Sequence, residues 1–238
     1  MDGVILIDKP AGLSSHDVVA AVRRSLGGVR TGHAGTLDPF ATGLLLILVG
    51  RATKSQSELM ELPKRYETVA CLGALSSTGD TEGEITRTGR IPPEGALLPT
   101  GELRQRPPAH SAVKVGGERA YRRARRGESF QMPERIVRVD RFQELWREPG
   151  PENTLRAGYL IECGSGTYVR SLIADLADAY CLELRRSAVG PFDVAHASAL
   201  PPRAGPWNDP PLLDLPAALQ MARTQGGLPE WHAPSPRH

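Results

Sequence analysis

The hydrophobic positions fall into short, separated runs. Gly3-Val4-Ile5-Leu6-Ile7-Asp8 is an apolar run of strand length, broken by Lys9-Pro10-Ala11-Gly12. Ser14 and Asp17 then match a capping pattern, and Val18, Val19, Val22 and Leu26 recur at helical spacing until Gly27-Gly28. Leu44-Leu45-Leu46-Ile47-Leu48-Val49 reads as a buried strand. The spacing predicts a helix over 52–62 and a half-exposed, alternating strand over 64–72. Positions 76–84 form a polar loop, and 87–101 are Pro/Gly-rich and irregular. Two further strands, over 136–142 and 158–163, are expected to pair across a polar turn at 148–153. Positions 164–170 lead into a helix with Val169, Leu172, Ile173 and Leu176 on one face. Nine of the chain's 21 prolines lie in its last 38 residues, so 196–238 is expected to be a Pro-rich tail. Within it only 214–223, capped by Asp214, is expected to be helical. Strands interleaved with few helices imply an α/β (α+β) fold with a mixed, largely antiparallel sheet flanked by helices and long loops.

Composition narrows the class. The chain has 238 residues, 40% hydrophobic and 24% charged, ordinary values for one sizeable core or one domain with an appendage. Cys71, Cys163 and Cys181 lie far apart, odd in number and without zinc-ligand spacing, so reduced thiols and no metal are expected. The longest apolar run is too short to span a bilayer, and Met1-Asp2-Gly3 does not begin a signal peptide. A cytoplasmic protein is therefore expected. The overall charge of +2 hides an asymmetry. Positions 103–126 hold eight Arg or Lys against Glu118, a local net of +7 that leaves the rest of the chain at −5. Such density on a short helix suits neutralisation of RNA phosphates, while its bland alternative is a solvated helix face.

The candidate chemistry centres on Gly32-His33-Ala34-Gly35-Thr36-Leu37-Asp38-Pro39-Phe40-Ala41-Thr42-Gly43. Glycines permit unusual backbone angles, and Pro39 excludes helical geometry at Asp38. Asp38 is thus either a turn residue capping its own backbone or a reactive carboxylate on a stiff loop beside a buried strand. His33 reads as a functional group or as a buried histidine satisfied by the loop.

This stretch resembles the central motif of the TruB family of pseudouridine synthases, which modify the T arm of tRNA. Further resemblances follow in the same order over roughly 3–195. They are Asp8-Lys9-Pro10-Ala11-Gly12-Leu13-Ser14-Ser15, Lys64-Arg65-Tyr66, and Pro107-Pro108 with Ser111-Ala112-Val113-Lys114 and Arg119-Ala120-Tyr121. Gly166-Thr167-Tyr168-Val169-Arg170 and Leu184-Arg185-Arg186-Ser187-Ala188-Val189-Gly190-Pro191-Phe192 complete the set. His110 and Ser187 depart from the family's usual residues.

The resemblance implies a catalytic domain over 1–195 that includes the basic segment, and a tail without the full C-terminal RNA-binding domain of many relatives. It places the catalytic aspartate on Asp38, the active-site tyrosine on Tyr66 and the aspartate's arginine partner on Arg170. It also implies substrate contacts by His33, which would help hold a flipped nucleotide out of the loop, and by Lys9, Tyr168, Leu184, Lys114 and Arg119. For Lys9 and Tyr66 the residues alone suggest a solvated strand-end lysine and a core tyrosine. The implied reaction is conversion of the T-loop uridine numbered 55 to pseudouridine, with no cofactor or metal, by a monomer. The competing classes are a non-catalytic tRNA-binding or tRNA-folding protein on the same scaffold, and an aspartate-based hydrolase or phosphatase. The retained Asp38, Tyr66 and Arg170 argue against the first. The lack of a second carboxylate at fixed spacing argues against the second.

Overall fold

The computed structural model describes residues 1–111, 113–202 and 204–232, with the side chain of Arg125 excepted. Ala112 of the Ser-Ala-Val-Lys motif and, in the expected tail, Arg203 and 233–238 lie outside the described residues, and of Arg125 in the basic run only the backbone is described. In chain order the elements are β1 (Gly3–Lys9), α1 (Ser15–Ser25), β2 (Thr31–Ala34), β3 (Thr42–Val49), a 3-10 turn (Gly50–Ser55), α2 (Gln56–Glu61), β4 (Lys64–Leu72), β5 (Ala74–Ser76), β6 (Ile85–Arg87) and β7 (Gly101–Gln105). They continue with β8 (Lys114–Val115), β9 (Glu118–Arg119), α3 (Ala120–Arg125), β10 (Arg135–Pro149), β11 (Leu155–Cys163), α4 (Val169–Ala174), β12 (Ala179–Val189), β13 (Phe192–Asp193), β14 (Leu212–Asp214) and α5 (Leu215–Thr224). The fold is mixed α/β, with mostly antiparallel strands and few helices, as the pattern predicts. No helix among the described residues is long and apolar enough to cross a membrane.

The chain divides into two compact units, Met1–Lys64 with Arg186–His238, and Arg65–Arg185. In the first, β1 lies between β14 and β3, antiparallel to both, with Gly3 opposite Asp214 and Val49, and Lys9 opposite Gly43. β2 also pairs with β3, Ala34 opposite Leu46. Every residue of β3 from Gly43 to Val49 is buried, which explains its unbroken apolar run. Leu44, Leu46 and Leu48 share a core with Val4, Leu59, Phe192, Ala218 and Ala222. The capping box at α1 forms as expected: the Ser14 hydroxyl accepts from the Asp17 amide at 3.2 Å, and the Asp17 carboxylate accepts from the Ser14 amide at 2.8 Å.

In the second unit the strand order is β12, β4, β11, β10, β7, with β12 counted up to Arg185. β10 and β11 form the expected hairpin, Phe142 opposite Ile161 and Pro149 opposite Leu155, though β10 extends to fifteen residues.

Several expectations need correction. The 52–62 helix is a 3-10 turn followed by six residues of α2. β4 is buried on both faces rather than half-exposed, because its polar members are satisfied inside: Arg65 Nε donates to Glu162 at 2.8 Å, and the Thr68 hydroxyl donates to the Glu183 carbonyl at 2.7 Å. α4 stops at Ala174, before Leu176. In the tail, β14 adds a strand to β1, and α5 buries Ala218 and Ala222 in the core. Asp214 holds the N-cap position of α5 without a side-chain capping bond, and the helix starts instead on a proline in its first turn.

Truncation of Phe192, 2% exposed in the first unit's core, should remove about 3–5 kcal/mol of stability. Urea denaturation of Phe192→Ala against wild type would read this as a lower midpoint at unchanged slope.

Candidate active site

Asp38 sits on the loop between β2 and β3 in the first unit, half-buried, with both neighbours anchored. The buried Ser15 hydroxyl accepts from the Leu37 amide at 2.8 Å and donates to the Leu37 carbonyl at 3.1 Å. The Pro39 carbonyl accepts from the Gly12 amide at 2.8 Å and from Lys9 Nζ at 3.3 Å. The Asp38 carbonyl closes a turn by accepting from the Ala41 amide at 3.1 Å. The carboxylate is therefore carried on backbone fixed from both sides, as a positioned reactive group requires.

Lys9 is fully buried, so the solvated strand-end alternative fails. Its ammonium donates to the carbonyls of Pro10 at 2.9 Å, Leu13 at 2.7 Å and Pro39 at 3.3 Å. Burial pulls its pKa down from 10.5 to about 8; the Asp38 carboxylate opposes the shift, the Arg186 charge reinforces it, and Asp17 opposes it. His33 lies on β2, edge-on to His16 with ring centroids 5.5 Å apart, and its carbonyl accepts from Gln56 Nε2 at 2.8 Å. The first unit thus brings Lys9 to the Asp38 loop and places His33 on the strand that leads into it.

The other candidates lie in the second unit. Tyr66 is the third residue of β4 and Leu184 lies on β12; both are buried. Arg170, in the first turn of α4, is 3% exposed. Its guanidinium donates to the Thr78 carbonyl at 2.7 Å, to Asp80 Oδ2 at 3.1 Å and to the His110 carbonyl at 2.9 Å. Asp80, itself 5% exposed, is further held by the Thr78 hydroxyl at 2.5 Å and the Glu82 amide at 3.1 Å. The 76–84 loop, a surface turn by composition, is thus the seat of a buried arginine. Asp80 escaped the sequence reading because a carboxylate among Ser, Thr and Gly looks solvated. Asp178, adjacent in sequence to α4, takes Arg90 in a two-pronged pair at 2.6 and 2.7 Å.

Tyr168 caps α4. Its amide donates to Gln105 Oε1 at 2.8 Å, its carbonyl accepts from Gln105 Nε2 at 3.0 Å, and the Arg135 guanidinium lies 4.8 Å from its ring centre. Lys114 and Arg119 face each other across the β8–β9 ribbon, whose Gly116 and Gly117 both have positive φ (61° and 88°), as a tight two-residue hairpin demands. Part of the segment's charge is neutralised locally. Arg126 grips Glu118 with two bonds, at 2.7 and 2.8 Å, and also pairs with Glu128. Arg123 pairs with Glu128, and Arg106 with Glu134. Glu128 and Glu134 lie just beyond the 103–126 window, so the count of +7 overstates the net local field.

Residues 23–169 match the model of the TruB family pseudouridylate synthase N-terminal domain. The chain belongs to the TruB family. Among curated relatives, tRNA pseudouridine synthase B of Mycobacterium tuberculosis (strain ATCC 25618 / H37Rv) is 43% identical over 212 residues, covering 83% of this chain and 70% of the relative. The protein of the same name from Thermobifida fusca (strain YX) is 43% identical over 244 residues, covering 95% and 83%. Among solved structures, a chain of a Cbf5-Nop10-Gar1 complex aligns with TM-score 0.61 and 29% identity over 83% of this chain and 52% of that one. A chain of an H/ACA RNP bound to a substrate RNA containing 2′-deoxyuridine aligns with TM-score 0.55 and 25% identity over 83% and 51%. The TruB chain described here therefore spans about half the length of those solved chains.

The low pKa of Lys9 carries a signed prediction. Between about pH 8 and 10.5 the folded chain has released a proton that the unfolded chain retains, so stability rises with pH across that window; the penalty is full below it and absent above it. The unfolding free energy of wild type minus that of Lys9→Met should climb through this range in denaturant titrations. A flat difference would place the Lys9 pKa at its ordinary value.

Proposed function

We propose that the chain isomerises uridine to pseudouridine in the T loop of tRNA, at the position numbered 55, with Asp38 as the acting carboxylate. The observation that carries the reading is the 43% identity to enzymes named tRNA pseudouridine synthase B, over most of both chains, together with an aspartate on the anchored loop of the matched segment. In this reaction the bond from ribose C1′ to N1 breaks, the base turns and C1′ joins C5. The C5 proton leaves and N1 ends protonated, so no redox partner or energy source is needed. Attack on C1′, attack on C6 and assisted elimination to a glycal each call for an ionised carboxylate.

Tyr66 is assigned to stack on the uracil ring and assist proton removal, and Leu184 to pack beneath the base. Arg170 is assigned to favour the charged form of the aspartate, as a neighbouring cation does. A base inside a folded RNA loop must be flipped out, and His33 is assigned to hold the vacated place. Lys9 holds the edge of the site by bracing the Asp38 loop, Tyr168 borders the substrate, and Lys114 and Arg119 serve phosphates of the T arm. The domain reading that accompanies this is a catalytic domain over 1–195 in a cytoplasmic monomer.

Two outcomes are expected. An unmodified tRNA transcript incubated with the purified chain, without metal or nucleotide, should give one T-loop stop on carbodiimide labelling and primer extension. Asp38→Asn should abolish it; a persisting stop would remove Asp38 from the chemistry. Separately, Arg122→Ala in α3 should weaken tRNA binding and reduce the slope of log K against log salt by about 1 if Arg122 neutralises one phosphate. An unchanged slope would assign this part of the basic face to solvent.

A further inference from the structure

Among the described residues Arg186 is the largest fully buried side chain, 1% exposed, and it belongs to the same unit as Asp38. It lies on β12. Its guanidinium spans the Asp38 loop: Nε donates to the Leu44 carbonyl at 2.8 Å and Nη2 to the Gly35 carbonyl at 3.1 Å. Gly35 and Leu44 bracket the segment 36–43, so one side chain ties the two ends of the loop to a single rigid fork.

Two glycines of the loop are shaped around the same residue. Gly35 has φ +93°, and a Cβ there would stand 3.3 Å from Arg186 Nη1. Gly43 has φ +102°, and a Cβ there would stand 2.3 Å from the Arg186 carbonyl oxygen and 2.8 Å from its amide nitrogen. The loop thus closes on the guanidinium at one end and on the backbone of β12 at the other. The charge of Arg186 is also felt at Lys9, which holds Pro39 from the opposite part of the loop.

A buried guanidinium is a demanding choice where a hydrophobic side chain would fill the volume. Stability alone is a weak reason for it, whereas fixing a loop to a fraction of an ångström is a good one. We propose that Arg186 is a positioning residue for catalysis: by tying Gly35 and Leu44 together it sets where the Asp38 carboxylate stands, without itself touching RNA. The inference rests on the assignment of Asp38 above.

The test separates positioning from folding and from RNA binding. Arg186→Met and Arg186→Lys would be compared with wild type and Asp38→Asn in circular dichroism, in equilibrium binding to an unmodified T-arm hairpin and in single-turnover pseudouridine formation. Loss of the tie should leave binding within about threefold, while the single-turnover rate of Arg186→Met falls by about 100-fold, the size expected for a misplacement near 1 Å. Arg186→Lys keeps the charge but cannot reproduce the two-pronged fork, and its rate should fall by about tenfold. If Arg186→Met does not fold, the lysine variant decides. A folded Arg186→Lys at wild-type rate, a folded Arg186→Met within threefold of wild type, a rate loss matched by equal loss of binding, or failure of both variants to fold would each overturn the proposal. Activity retained in Asp38→Asn would instead overturn the assignment of Asp38, and is read independently of the Arg186 variants.

Discussion

A buried cation needs oxygens around it to accept its protons, and this constraint shapes the loop that carries Asp38. Lys9 and Arg186 are both out of water, and between them they donate to five backbone carbonyls: Pro10, Leu13, Pro39, Gly35 and Leu44. The Gly- and Pro-rich composition of 35–43 allows the backbone to turn the Gly35 carbonyl to Arg186 and the Pro39 carbonyl to Lys9. Seen this way the loop is a ligand shell for two cations, and its rigidity follows from the penalty of leaving any of their donors unmet.

The second unit solves the same problem with different parts. Arg170 is buried against the 76–84 loop and the His110 carbonyl, where the Asp80 carboxylate and the Thr78 and His110 backbone oxygens accept from it. Asp80 in turn is fixed by Thr78 and by the Glu82 amide, so the guanidinium has a defined orientation before any substrate arrives. Preorganisation of this kind spares reorganisation when charge develops during a reaction. The two units share a habit: short polar loops, irregular in outline, are made stiff by enclosed cations, Lys9 and Arg186 in the first and Arg170 in the second.

How much of this was legible in the sequence depended on whether the signal was local. β1, β3 and α1 announced themselves because their apolar spacing and the Ser14–Asp17 box are properties of a few consecutive residues. The β10–β11 hairpin was readable because a polar turn separates two apolar runs. β4 was misjudged as half-exposed, since Arg65 and Thr68 look like surface residues until Glu162 and the Glu183 carbonyl are seen beside them, 97 and 115 positions away. In the tail the expected helix forms as α5, with Pro216 in its first turn, where a missing amide proton does no harm, whereas β14 is too short to announce itself in the pattern. Among the site residues, Asp38 and Lys9 stood out by motif. Arg186 lay inside a quoted motif but with no role of its own, and Asp80 inside a polar loop, because the partners of both lie far along the chain.

The ion pairs around α3 bear on how this surface would exchange one partner for another. Arg126 already holds Glu118 and Glu128, and Arg123 shares Glu128. A phosphate arriving there replaces a carboxylate instead of meeting a bare cation, and the evicted glutamates gather mobile cations of their own. The surface then behaves as an ion exchanger, in which two anions compete for one guanidinium. The net release of salt undercounts the phosphates engaged, and discrimination rests on how well an anion's geometry fits the guanidinium rather than on total charge.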